Sequence, residues 1–181
     1  MCIGFLIRIA KTANYAIKPT PEQALRTNRT SPPARLIAAL GVAMSPSEFW
    51  NSFHDGTILN ISGQVPGQVV LDVSIGYLRT RFPGVGSSFR VTLSDCTKFV
   101  YAPYDEGLVD DLSEIAKLEP MVLSVDSKEP LKVDCVMGTL FMEYRAFTIV
   151  TDANQAISGG ELKQASVEYW REWSAKHVDN T

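Results

Sequence analysis

His54 and Asp55 are the residues of this chain whose types come closest to a catalytic pair. They lie in the stretch FWNSFHDGTI, residues 49–58, and His54 is one of only two histidines. An imidazole beside a carboxylate can act as a general base, and it can also ligate a metal ion. However, adjacent side chains rarely orient one another well enough for catalysis, and Asp55–Gly56 is a dipeptide typical of turns. We therefore interpret His54 as a residue that ends a short helix, with a general base and a metal ligand as open alternatives.

Other patterns that carry chemistry are incomplete in this sequence. A zinc site needs three or four Cys or His ligands at short spacings, whereas Cys2, Cys96 and Cys135 are far apart and form no C-x-x-C pair. The GVG of residues 84–86 lacks the third glycine of a dinucleotide-binding loop, and no G-x-x-x-x-G-K-[ST] stretch occurs. The sequence therefore predicts no metal and no cofactor, and it favours a non-enzyme over an enzyme.

Five other side chains are candidates for binding a partner. Four are carboxylates on the polar side of predicted elements, and the fifth is a tryptophan in the aromatic stretch YWREW. They are Asp72, Asp110, Asp111, Glu114 and Trp170. Carboxylates at a helix start commonly interact with the helix dipole, and aromatic residues at helical spacing commonly pack in a core. Both structural roles remain open alternatives to binding.

The net charge of −3 hides a division between two parts of the chain. Residues 1–43 carry six basic side chains and one acidic side chain, whereas the remainder carries 11 basic and 19 acidic side chains. The resulting charge of −8 on the remainder disfavours nucleic acid, which needs a basic surface, and favours a basic protein partner. No apolar stretch approaches the ~18 residues that a membrane-spanning helix needs, so we expect no membrane partner.

The stretch MSPSEFW, residues 44–50, has the pattern of a helix start. Ser45 and Glu48 have the spacing of a capping box, and Pro46 suits the first helical position. We therefore expect the folded part of the protein to begin here.

The domain boundaries follow from this start. Residues 1–43 are basic and have neither a strand nor a helix period, so we interpret them as a weakly structured extension, with Met44 as the functional start. An organellar targeting segment is the alternative. We expect a single domain over residues 44–176 and a tail over residues 177–181.

A protein that begins at Met44 should therefore fold as well as the full chain. Weakly docked termini add little stability, so we expect its melting temperature to differ from that of the full chain by only a few degrees. Thermal unfolding followed by circular dichroism measures this difference. Loss of the cooperative transition upon removal of residues 1–43 would contradict the interpretation.

Two stretches alternate between apolar and polar residues, as half-buried antiparallel strands do. The first is QVVLDVSIGYL, residues 68–78, and the second is SFRVTLSD, residues 88–95. The alternation is interrupted at Asp95–Cys96, and a later strand pattern is interrupted at Arg145–Ala146. These breaks predict a bulge or another irregularity at each position.

The order of the patterns predicts the fold class. Between two groups of three strand patterns lies a helical stretch in which Leu108, Leu112 and Ile115 share one face. The order α-βββ-α-βββ-α predicts an α+β fold with an antiparallel sheet of about six strands and helices packed on it. A small β-barrel closed by the C-terminal helix is the architectural alternative.

The last predicted helix begins with a second capping box, from Ser158 to Glu161. Its aromatic residues lie on one face, and we expect them to meet those of the first helix. The expected members of this cluster are Trp50, Phe53, Tyr169 and Trp173.

Three features of the chain resemble a family of small bacterial proteins. The stretch W-x-x-F-H-D-G-x-I spans Trp50 to Ile58, the middle of the chain is rich in strands, and ELKQASVEYWREW lies near the end. Over residues 45–175 the chain looks like an uncharacterised family of α+β proteins with an F-H-D entry motif and a C-terminal YWxxW helix. Some relatives with this entry are grouped with predicted immunity proteins of bacterial toxin systems. The resemblance implies an immunity-like role and attaches no catalytic residues.

Two functional hypotheses of different classes follow from the residues. The first is a non-enzymatic protein-binding module, in the form of an immunity-type inhibitor of a basic toxin domain, which the acidic charge and the missing catalytic patterns favour. The second is a small enzyme or ligand carrier with a pocket between the sheet and the helices. An odd number of widely spaced cysteines indicates a reducing, cytoplasmic location.

Overall fold

The computed structural model of the protein describes residues 44–178. In that part of the chain the strands form two antiparallel sheets, one of five strands and one of four, and four helices accompany them. The fold is therefore α+β with antiparallel sheets, as the order of patterns predicts. The described strands do not close into the barrel that was the alternative.

The elements are numbered along the chain. The strands are β1 Thr57–Gly63, β2 Gly67–Ser74, β3 Ser88–Cys96, β4 Lys98–Pro103, β5 Val122–Lys128, β6 Leu131–Cys135, β7 Gly138–Glu143, β8 Ala146–Thr151 and β9 Ala156–Ile157. The helices are α1 Pro46–Asn51, α2 Gly76–Arg79, α3 Leu112–Lys117 and α4 Gly159–Val178. The larger sheet has the spatial order β1-β2-β3-β8-β9, and the smaller sheet has the order β4-β7-β6-β5.

The chain crosses between the two sheets at the two positions where the sequence predicts irregularities. Asp95, which has a positive φ of 52°, lies near the end of β3, and the chain leaves the larger sheet there to form β4 in the smaller one. Arg145 stands between β7 and β8, where the chain returns. The crossings lie side by side, because Arg145 Nε is 2.8 Å from Asp95 Oδ2 and the Arg145 amide donates to the Ser94 carbonyl. The strand patterns of the sequence run through both crossings without a clear end. They therefore predict about six strands, whereas residues 44–178 contain nine.

The second strand is shorter than its pattern predicts. The alternation of residues 68–78 predicts one strand, yet β2 ends at Ser74 and the chain then forms the short helix α2. The Arg79 side chain is fully buried; its Nε donates to Asp152 Oδ1 at 2.7 Å, and its Nη1 donates to the three carbonyls of residues 82–84. This guanidinium therefore holds the loop that connects α2 to β3.

The helix α3 begins later than the sequence predicts. Leu108 was expected on one face with Leu112 and Ile115, but its side chain is 74% exposed and it lies outside the helix. Val109 instead forms an antiparallel bridge with Tyr101 in β4, with N···O distances of 2.9 and 2.8 Å. The residues that precede α3 are thus attached to the edge of the smaller sheet.

One contiguous apolar core is shared by both sheets and by α1. Phe49, Trp50 and Phe53 of α1 are fully buried. The ring of Phe49 stacks on that of Phe147 in β8 with centroids 4.0 Å apart, and the ring of Phe53 meets Phe89 in β3 edge-on at 5.8 Å. The first helix therefore contributes its aromatic side chains to the main core.

The aromatic cluster predicted between the first and last helices is wrong, because Tyr169 and Trp173 contact other rings. Tyr169 stacks on Tyr77 with ring centroids 4.0 Å apart, while Trp173 is 44% exposed and stacks on His177. The helix α4 packs against α1 and α2 and is buried through side chains such as Leu162. Its later aromatic residues are left at the surface.

Both predicted capping boxes are present. The Ser45 hydroxyl accepts a hydrogen bond from the Glu48 amide, and the Glu48 carboxylate accepts one from the Ser45 amide at 3.1 Å. Ser158 and Glu161 exchange the same two hydrogen bonds at the start of α4. These local signals set the first residues of both helices.

The predicted terminal segments are only partly within the described residues. The extension of residues 1–43 lies outside them. The predicted tail of residues 177–181 is divided, since α4 runs to Val178 and residues 179–181 lie outside the described part. Among the helices of residues 44–178, none is long and apolar enough to cross a membrane.

Replacement of two tryptophans should have different effects on stability. Trp50→Ala removes a fully buried side chain and should lower the free energy of unfolding by ~3–5 kcal/mol. Trp173→Ala removes a side chain that is 44% exposed, and we expect a loss of less than about half that size. Denaturant unfolding of the two single variants measures the difference. Equal losses would contradict the surface position of Trp173.

Candidate functional site

The segment around His54 pairs with the edge of the smaller sheet. The edge strand β5 has backbone groups that no further strand of its sheet can satisfy. The amide of Asp55 donates to the Val122 carbonyl at 2.8 Å, and the Val122 amide donates to the Gly56 carbonyl at 2.8 Å. The Ile58 amide donates to the Pro120 carbonyl at 3.0 Å. Residues 55–58 thus pair with residues 120–122 at the start of β5, with a bridge between Thr57 and Met121.

The His54 side chain continues this pairing. Its Nδ1 donates to the carbonyl oxygen of Leu123 in β5, so Nδ1 must carry a proton. The other ring nitrogen, Nε2, is 3.6 Å from Asp55 Oδ1, and the His54 side chain is 41% exposed. The Tyr77 hydroxyl donates to the His54 carbonyl at 2.5 Å. Burial raises the pKa of Tyr77, and the nearby Asp55 carboxylate raises it further, so this hydroxyl keeps its proton.

The His54 ring contacts the Leu123 carbonyl, the Asp55 carboxylate and the edge of the Trp170 indole. These contacts hold the ring in place after the end of α1. Within residues 44–178 no three Cys, His, Asp or Glu side chains cluster in a way that could hold a metal ion. The arrangement accords with a structural role for the His54–Asp55 pair.

The turn predicted at Asp55–Gly56 is present after α1. Asp55 is its residue with a positive φ, at 65°. Gly56 is needed because a Cβ atom at this position would lie 2.8 Å from the Phe53 carbonyl oxygen. The small residue lets the chain turn closely against α1 before β1 begins.

Trp170 belongs to a layer of aromatic rings on α2 and α4. Its half-buried indole meets the rings of His54 and Tyr77 edge-on, with centroids 5.5 and 5.8 Å away. Tyr169 and Trp173 lie beside it at 5.2 and 5.8 Å. The rings thus contact one another, and this contact gives Trp170 a packing role beside any binding role.

Asp72 lies apart from the other predicted binding carboxylates. It stands on the outer face of β2, where its Oδ1 is 3.0 Å from Arg90 Nε in β3 and its Oδ2 accepts a hydrogen bond from the Asn60 amide group at 3.3 Å. The neighbouring guanidinium neutralises much of its charge. Asp72 therefore contributes less to an acidic surface than the sequence suggests.

The other three predicted carboxylates lie together at the start of α3. Asp111 is the N-cap and accepts hydrogen bonds from the Ser113 hydroxyl and from two backbone amides, which hold its pKa below the ordinary value. Glu114 pairs with Lys117 Nζ at 2.6 Å. Asp110 is exposed and has no ion-pair partner among residues 44–178. Of the three, Asp110 is thus the most available to an outside cation.

A pocket at the other end of α3 was missed by the sequence reasoning. Its volume is about 290 Å³, and its lining combines exposed apolar side chains with two carboxylates. The lining residues are Tyr101, Pro103, Tyr104, Asp105, Glu106, Leu118 and Met137. The available signal was the charge density of the surrounding stretch, because residues 104–119 hold six acidic side chains and one lysine. We call residues 104–119 the α3 segment.

Comparison with protein-family models, with curated proteins and with solved structures finds no match for this chain. The resemblance to a bacterial family with an F-H-D entry motif therefore remains a prediction that rests on the residues alone.

Replacement of His54 tests whether the opening pair is catalytic. Glutamine can still donate to the Leu123 carbonyl but cannot accept a proton near neutral pH, so His54→Gln should cost only ~1 kcal/mol of stability and leave function intact. Denaturant unfolding and a partner-binding assay measure the two effects. The matched control is His177→Gln, which changes the other, exposed histidine. Loss of function in a fully folded His54→Gln variant would contradict a purely structural role for His54.

Proposed function

We propose that the protein is a non-enzymatic binding module that recognises a basic protein partner, in the manner of an immunity-type inhibitor. The observation that carries the proposal is the α3 segment, whose six carboxylates and one lysine give a net charge of −5 on 16 consecutive residues. A concentrated charge of one sign accelerates the encounter with an oppositely charged partner.

Several carboxylates of this segment lack an internal use. Asp105, Glu106 and Asp110 are exposed, and none has an ion-pair partner within residues 44–178. By contrast, several exposed acids elsewhere are paired with a cation, such as Glu172 with Arg81 at 2.7 Å. Carboxylates that neither cap a helix nor pair with a cation are the ones that can contribute to the attraction of a basic surface.

The alternative of a small enzyme or carrier has weaker support. Small-molecule sites usually enclose ~300–1,000 Å³ and bury most of their ligand. A cleft of about 500 Å³ lies between β1 and the start of α3, but it is an open surface depression. The pocket at the other end of α3 has about 290 Å³ and also opens to the surface, so its size suits one side chain of a partner better than a whole metabolite.

A reducing, cytoplasmic setting forms part of the proposal. Cys96 and Cys135 are buried free thiols, and burial raises the pKa of the Cys135 thiol to about 12. A buried protonated thiol is unreactive and needs no disulfide partner. An inert role for Cys135 accords with this burial.

Charge reversal in the α3 segment should slow partner association. The partner is obtained by affinity capture with the full chain and then purified, and association rates are measured at about 0.01 and 0.15 M salt. Asp105→Lys combined with Glu106→Lys should reduce the association rate about tenfold at low salt and less at high salt, because ions screen the attraction. An immunity-type inhibitor should also protect cells from the captured protein when the two are produced together.

The control carries the same charge change elsewhere. Asp126→Lys with Glu129→Lys alters two exposed carboxylates on β5 and its following turn, and we expect a much smaller effect on association. Equal losses in the two double variants would mean that only net charge matters. A captured partner that is acidic, or an association rate that does not depend on salt, would contradict the proposal.

A further inference from the structure

The pocket beside α3 has the features of an anchor site, and we infer that it receives one apolar side chain of the basic partner. The inference rests on the proposed function and names the surface that performs it. Leucine, methionine or an aromatic residue would enter between Tyr104, Leu118 and Met137, while lysine or arginine residues on either side of it meet Asp105 and Glu106.

The apolar part of this surface is exposed to an unusual degree. Tyr104 and Met137 are each 65% exposed and Leu118 is 47% exposed, although all three lie around one concave volume. Two further apolar side chains, Met121 and Val136, are exposed next to them at 37% and 44%. The Val136 amide donates to the Met121 carbonyl at 2.9 Å, which places these residues in the same patch. Contiguous exposed apolar side chains with a polar rim are typical of protein-interaction sites.

The frame beneath the pocket is held in one conformation. Met137 has a φ of 70° at the turn between β6 and β7, and its carbonyl accepts a hydrogen bond from the Tyr104 amide at 3.2 Å. The buried Tyr101 donates its hydroxyl to the Val136 carbonyl at 3.2 Å, and burial raises its pKa to about 12. Gly138 is required below this ring, since a Cβ atom there would lie 2.6 Å from the Tyr101 hydroxyl. A backbone fixed in this way lowers the entropy cost of binding.

The rim determines the chemistry of the occupant. Asp105 and Glu106 line the pocket, and the exposed Glu119 directly follows the lining residue Leu118 in the sequence. None of these three carboxylates has an ion-pair partner among residues 44–178. A purely apolar ligand would desolvate these charges without compensation, whereas flanking lysine or arginine residues would pair with them. Charge complementarity therefore favours a basic segment with an apolar anchor.

Peptides selected from a random-peptide display library against the full chain provide a defined probe. We expect the selected peptides to share an apolar residue flanked by lysine or arginine. Each is titrated onto protein labelled with carbon-13 at the methionine methyl groups. The methyl signal of Met137 should shift, and that of Met142, which is 1% exposed, should remain in place. Replacement of the apolar residue of the peptide by alanine should weaken binding about tenfold, which corresponds to ~1.4 kcal/mol.

Matched variants separate the pocket from the rest of the surface. Met137→Asn tolerates the positive φ and should weaken the selected peptides about tenfold, whereas Val85→Asn changes a fully exposed apolar residue elsewhere and should have no effect. Basic peptides that shift the Trp170 and Trp173 indole signals and leave Met137 unchanged would overturn the pocket and leave the proposed function standing. Selection of acidic or uncharged peptides would overturn both.

Discussion

The free edge of β5 is the constraint on which the rest of the described structure depends. The amides and carbonyls at its start need partners, and residues 54–56 supply them for Val122 and Leu123 through backbone bonds and the His54 ring. The chain then continues into β1, which is the edge of the larger sheet. The two sheets are therefore joined at this seam as well as at the crossings near Asp95 and Arg145. The seam also fixes the direction in which α1 enters, and with it the burial of Phe49, Trp50 and Phe53.

Local signals made part of the fold predictable. Both capping boxes depend on residues three positions apart, and the alternation around Leu71 and Val91 directly reports which face of a strand is buried. The division into two sheets was not predictable, because it depends on the pairing of β3 with β8 and of β4 with β7, which joins residues far apart in the sequence. The early end of β2 likewise depends on the pair Arg79–Asp152, which no periodicity reveals.

The sequence predicts the charge of the candidate site, but it does not predict the pocket. The carboxylates at the start of α3 stand out in the sequence, and the structure brings Asp110, Asp111 and Glu114 together. The pocket escaped notice because exposed and buried apolar residues look alike in a sequence: Leu118 and Met137 become neighbours only when α3 meets the turn after β6. Leu108 is the converse case. Its spacing from Leu112 predicts a buried side chain, but the bridge between Val109 and Tyr101 leaves it exposed.

The attachment of the α3 segment to β4 affects how readily copies of the protein associate with one another at high concentration. β4 is the second edge of the smaller sheet, and Val109 covers it only at Tyr101. Exposed edges of this kind invite another copy of the same chain to add its own strand, which is a route to aggregation, and charged side chains along an edge oppose it. Carboxylates such as Asp105 and Asp110 would face their own counterparts in such an approach. The charge that would attract a basic partner thus also keeps copies of the protein apart.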